Sequence, residues 1–96
     1  MQAPERYNLH VPEISRFLGI TIQMYYGDHP APHFHATYGG QTAKIQIAPF
    51  GVVAGKLPPK VIALLAEWTL LHEEDLMAAF GRAARREAPG SVEPLV

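Results

Sequence analysis

The chain has no cysteine among its 96 residues. Disulfides, thiolate zinc sites and thiol nucleophiles are therefore excluded, and a reducing compartment suits the composition. Charge of one sign is not in excess either. Eight Lys and Arg stand against nine Asp and Glu, a formal net charge of −1, so no global basic field draws the chain onto nucleic acid. Long hydrophobic runs are missing as well. VIALLAEWTLL at 61–71 has 11 residues with Glu67 inside it, against roughly 20 for a bilayer crossing. The opening MQAPERYNLHVPEISRF has no apolar core or cleavage pattern of a signal peptide. The expectation is a cytoplasmic protein without a membrane partner.

What is present is the composition of an ordinary folded domain, 48% hydrophobic and 18% charged, in a length that permits one core. Residues 1–13 read as an irregular arm, 14–87 as a single domain and 88–96 as a tail. From Leu18 to Tyr26 apolar residues alternate (Leu18, Ile20, Ile22, Met24 and Tyr26 on one side), the period of a half-buried strand. A second strand is expected over 33–38, a tight turn at Gly39-Gly40, a third strand over 42–47 with Ala43, Ile45 and Ile47 inward, and a fourth over 52–57.

After Pro58 the period changes. Val61, Leu65, Trp68, His72, Leu76, Ala79 and Ala83 recur at steps of three and four, which makes a helical stripe. One helix over 59–86 would run about 40 Å and overhang a domain whose radius of gyration is about 13 Å. The acids Glu73, Glu74 and Asp75 ahead of Arg82, Arg85 and Arg86 suit the two ends of a separate helix. The spacing predicts two helices, or one sharply kinked, meeting near 71–73. The fold class is α+β: a small antiparallel sheet of three to four strands with the helices packed on one face.

The chemistry gathers in DHPAPHFHA at 28–36, which holds three of the five histidines. With Phe34, Ala36 and Tyr38 in the core, His33 and His35 point to the other face, together with Thr37, Thr21, Gln23, Tyr25, Thr42, Lys44 and Gln46. Three readings stay open. The residues are solubilising groups on a wet sheet face. Or Asp28, His29, His33 and His35 bind a divalent transition metal such as zinc, with a further ligand from Glu67, His72 or Glu73. Or His33 and His35 are an acid–base pair and Tyr25, Lys44 or Arg16 holds a phosphate, as in metal-independent RNA cleavage. His72, on the apolar stripe, is read as capping the helix junction, Trp68 as core, and the arginines as a solvated helix end.

Two segments, ISRFLGITIQMYYGDHPAPHFHATYG at 14–39 and GKLPPKVIALLAEWTLLHEEDL at 55–76, resemble a bacterial family known as domain of unknown function 4160. The resemblance covers roughly residues 12–80. It rests on Ile14, Ser15, Arg16, Phe17 and Gly19, on Asp28, His29, Pro32, His33, Phe34, His35, Ala36, Tyr38 and Gly39, and on Leu57, Pro58, Trp68, His72 and Leu76. Departures are Ala31 in place of the first of two prolines, Phe80 in place of a tryptophan, and an added stretch before ISRF. The resemblance implies no established reaction. It implies one half of a toxin–antitoxin-like gene pair, whose partner is a small protein from an adjacent gene, bound at the open sheet face or sheet edge. RNA as a ligand and self-association stay as alternatives. So do a histidine-dependent RNase, a metal-dependent hydrolase and a non-catalytic metal-binding module.

Overall fold

A computed structural model describes residues 11–96; most of the amino-terminal arm, residues 1–10, lies outside them. Five strands come first: β1 (Glu13–Phe17), β2 (Ile20–Gln23), β3 (His33–Tyr38), β4 (Gln41–Gln46) and β5 (Gly51–Gly55). Two helices follow, α1 (Pro59–Leu71) and α2 (Glu73–Ala84). The strands form one sheet in the order β1-β2-β3-β4-β5, each antiparallel to the next. The class is α+β, but the expected three to four strands are five.

The additional strand is β1, followed by a tight turn where alternation had suggested the start of one longer strand. Leu18 and Gly19 both have positive φ, 50° and 80°, and they join Phe17 to its partner Ile20. Two central residues with φ > 0 make the hairpin turn that matches strand twist. Gly39 and Gly40 repeat the device between Tyr38 and Gln41. The first expected strand therefore shortens to Ile20–Gln23. Leu18 is exposed in the turn and Tyr26 is exposed beyond it, while Met24 stays buried. The last strand occupies 51–55 in place of 52–57.

One face of the sheet supplies Phe17, Ile20, Ile22, Phe34, Ala36, Ala43 and Ile45 to the core. Trp68 of α1 packs on it, with ring centroids 5.1 Å from Phe17 and 5.6 Å from Phe34. The helical stripe is buried as expected: Val61, Leu65, Trp68, Leu76, Ala79 and Ala83 are nearly inaccessible. The helices part at His72, whose φ of −123° is not helical, and the ring of His72 lies 6.0 Å from that of Trp68. No helix among the described residues is long and apolar enough to cross a membrane.

The tail packs against this body. The Val92 N–H donates to the Ile14 carbonyl at 2.8 Å, and the Trp68 indole N–H donates to the Glu93 carbonyl at 2.8 Å. Arg82 donates to the Pro89 carbonyl through Nη2 at 2.6 Å and Nε at 3.2 Å.

Candidate metal centre

The connection between β2 and β3 is pinned at several points. The Met24 N–H donates to the Pro12 carbonyl at 3.1 Å, the Gly27 N–H to the Ala83 carbonyl of α2 at 2.9 Å, and the Ile47 N–H to the Pro32 carbonyl at 3.0 Å. Asp28 sits within this connection, His33 opens β3, and His35 follows two residues on, on the same face.

The three side chains converge: one donor atom from each of Asp28, His33 and His35 lies within 4.8 Å of the other two. Asp28 Oδ2 is 3.0 Å from His33 Nε2 and 3.9 Å from His35 Nε2. Ligands around a tetrahedral zinc, bonded at roughly 2.0–2.1 Å, stand about 3.3 Å apart. The two measured edges bracket that spacing.

Hydrogen bonding fixes which nitrogens face the cluster. His33 Nδ1 lies 2.9 Å from the Ala31 carbonyl. A carbonyl only accepts, so Nδ1 carries the proton, and a neutral ring then presents a bare Nε2 to the carboxylate. Two acceptors 3.0 Å apart call for a proton or a cation between them. A backbone carbonyl holding the remote nitrogen is also the usual support of a metal-binding histidine. His35 Nε2 is buried with no hydrogen-bond partner, since 3.9 Å to Asp28 is too long for one. Such an orphan costs about 1–3 kcal/mol, and a cation would remove the penalty.

The walls hold both rings. His33, only 2% exposed, lies 5.3 Å from the Phe80 ring of α2 and 5.1 Å edge-on from His35. Tyr25 stacks on His35 at 4.0 Å, with the planes 12° apart. Burial pushes His35 below the ordinary imidazole range. The neighbouring His33 ring and Lys44 push the same way, and Asp28 pulls against them. The neutral form that binds metals is thus favoured.

The expected open polar face is corrected at one point. His33 does share a face with His35, but it is buried where an exposed residue was expected. Alternation assigns the side of a strand and says nothing of what covers it; here α2 reaches the end of β3. His29, one residue from Asp28, is exposed and does not join the converging set. Glu67 and Glu73 are also exposed and outside it. Tyr25 stacks on His35, and Lys44 lies directly across from His35 in the β3–β4 ladder. Arg16 pairs instead with Glu13 at 2.7 Å. The supports that sequence reasoning missed are the Ala31 carbonyl and Phe80. A backbone carbonyl carries no residue signature, and Phe80 acts through tertiary packing alone.

The family described as Domain of unknown function (DUF4160) matches residues 19–81. The chain belongs to that family. The DUF4160 span includes Asp28, His33, His35 and Phe80, so the whole cluster and its cover fall within it. β1, with the ISRF segment, and the tail lie outside the match. No curated protein and no solved structure matches the chain.

Proposed function

We propose that this DUF4160 protein is a divalent-metal-binding domain whose ligands are Asp28, His33 and His35. The observation that carries the reading is the donor arrangement. His33 Nδ1 is committed to Ala31, and the bare Nε2 faces a carboxylate 3.0 Å away. His35 Nε2 ends in the same space without a partner. Two imidazoles and a carboxylate suit zinc, and equally the two-histidine, one-carboxylate sites of ferrous iron. Three protein ligands leave an outer position, where a zinc ion would acidify a bound water. A metal-dependent hydrolase is thus the enzymatic form of this reading. The metal-independent RNase has less support, because His33 is buried with both ring nitrogens facing oxygens, away from any polymer phosphate. Elemental analysis of tag-free protein, followed by calorimetric titration with zinc, tests the proposal. One equivalent bound by the native chain, and none by His33→Ala or His35→Ala variants that stay folded, is expected. A native chain that binds no zinc, manganese or iron refutes it.

A second reading, a toxin–antitoxin-like pair acting through protein contact, is favoured by the unequal sheet edges. At β1 the tail occupies the Ile14 carbonyl, and Glu13 and Arg16 carry charge. β5, GVVAG, has no charged residue, and its Val52 and Val53 are 44% and 54% exposed. Uncovered, uncharged edges invite an added strand. Co-expression with the adjacent gene product should give a complex that Val53→Lys weakens; separate elution of the two native proteins counts against it.

A further inference from the structure

Building on the metal reading, we infer that the Asp28–His33–His35 centre accepts an oxyanion, a phosphate or carboxylate group, as its outer ligand, with Lys44 as the counter-charge. In the β3–β4 ladder His35 pairs with Lys44 and His33 with Gln46, and in the β2–β3 ladder His35 pairs with Gln23. Directly opposed residues share a face, with Cβ atoms about 4.5–5.5 Å apart. Three polar side chains therefore flank the two histidines, and two of them make one hydrogen bond each elsewhere. Gln23 Nε2 donates to the Val11 carbonyl at 3.2 Å, and Gln46 Nε2 donates to the Pro49 carbonyl at 3.0 Å. Lys44 is the only one of the three that carries a charge. Among the described residues it has no carboxylate partner, the ion pairs being those of Arg16, Arg85 and the two histidines.

Charge decides the class of ligand. A dication with one carboxylate and two neutral imidazoles keeps one positive charge, and Lys44 adds a second on the same face. A neutral water neutralises neither and a hydroxide only one, whereas an oxyanion can neutralise the metal's charge and also take a hydrogen bond from Lys44. Access agrees. His33 is closed off beside Phe80, while Asp28 and His35 keep 31% and 15% of their side chains exposed. The cluster thus opens to solvent chiefly at Asp28, and Lys44 is the cation that the β3–β4 register sets beside His35.

Cobalt(II) is the probe, because its visible spectrum responds to a change of ligand. The full chain loaded with cobalt is titrated separately with inorganic phosphate and with acetate. A saturable spectral change is expected, and the stronger of the two responses identifies the anion. Lys44→Met should bind cobalt as the native chain does and bind the anion about tenfold more weakly, a coupling of ordinary size; Lys44→Arg should restore most of it. Cobalt bound with no spectral response to either anion, or a Lys44→Met variant with native anion affinity, overturns this inference and leaves the metal reading standing. Failure to bind cobalt at all overturns both.

Discussion

Replacing Asp28 with Asn should act in opposite directions with and without metal. A His33 ring that carries a single proton holds it on Nδ1 toward Ala31 and points a bare Nε2 at Asp28 Oδ2, 3.0 Å away. An Asn amide turned inward donates an N–H to that nitrogen, where the carboxylate can only oppose it. A net hydrogen bond is worth about 0.5–1.5 kcal/mol. Asp28 keeps 31% of its side chain exposed, so the lower part of the range, about 0.5–1 kcal/mol, is expected. Unfolding entropy of roughly 2.1 cal/mol/K per residue comes to about 0.2 kcal/mol/K for 96 residues. The melting temperature in chelator should thus rise by about 3–5 °C. With zinc at about 100 times its dissociation constant, the native chain should gain about 2.7 kcal/mol, or about 13 °C. The variant, lacking the only anionic ligand, should gain less than half of that. Scanning calorimetry in chelator and in zinc reads both arms. A variant that melts below the native chain in chelator, or keeps its full zinc shift, refutes the donor assignment at His33.

Other consequences follow from the same contacts. The depressed His35 ring makes the unfolded chain the better proton acceptor, so its contribution to stability is complete above the ordinary imidazole pKa and is lost as pH falls through the lower folded value; metal-free urea unfolding between pH 7.5 and 5 should show a slope that His35→Gln flattens, and an unchanged slope argues against it. Leu18 holds φ = 50° with 53% exposure, so Leu18→Asn, which creates the favoured Asn-Gly turn, should raise stability by about 0.5–1 kcal/mol; a lower urea midpoint would contradict the turn geometry. Deleting residues 88–96 removes buried Val92 and the acceptors of Trp68 and Arg82, a loss of about 3 kcal/mol visible as a melting temperature lower by about 15 °C. An unaltered midpoint would show that the tail does not stabilise the body.

Residue periodicity carried the sequence reading where the backbone is regular, and it stopped where the backbone is not. The step of two put Phe34 and Ala36 on one side of β3 and His33 and His35 on the other, and both assignments hold. The three-and-four step, with the acids at 73–75, located the helix break at His72 because a single rod could not fit the core. β1 escaped because a register shift between Glu13 and Ser15 buries Ile14 and Ser15 in succession, and no period of two survives that. Leu18 misled for a related reason: a leucine at positive φ carries no glycine signal, so the turn looked like strand. At the candidate site, the faces were legible from spacing. The burial of His33 was not, because it depends on Phe80, 47 positions away in the chain, arriving with α2.

The pinning of the 24–32 connection bears on what kind of site this is. Its backbone is tied to Pro12 at one end, to α2 through Gly27 and Ala83, and to Ile47 through Pro32. Arg86 closes over Gly27 so tightly that a Cβ there would meet its guanidinium at 2.8 Å. The segment that carries Asp28 is therefore held by backbone bonds that owe nothing to a cation. A metal entering such a site has little chain to order. This differs from small zinc domains, in which the metal supplies the folding free energy and chelators denature the chain. A cation here would instead supply the positive charge that the two imidazoles and the carboxylate converging at the end of β3 can share.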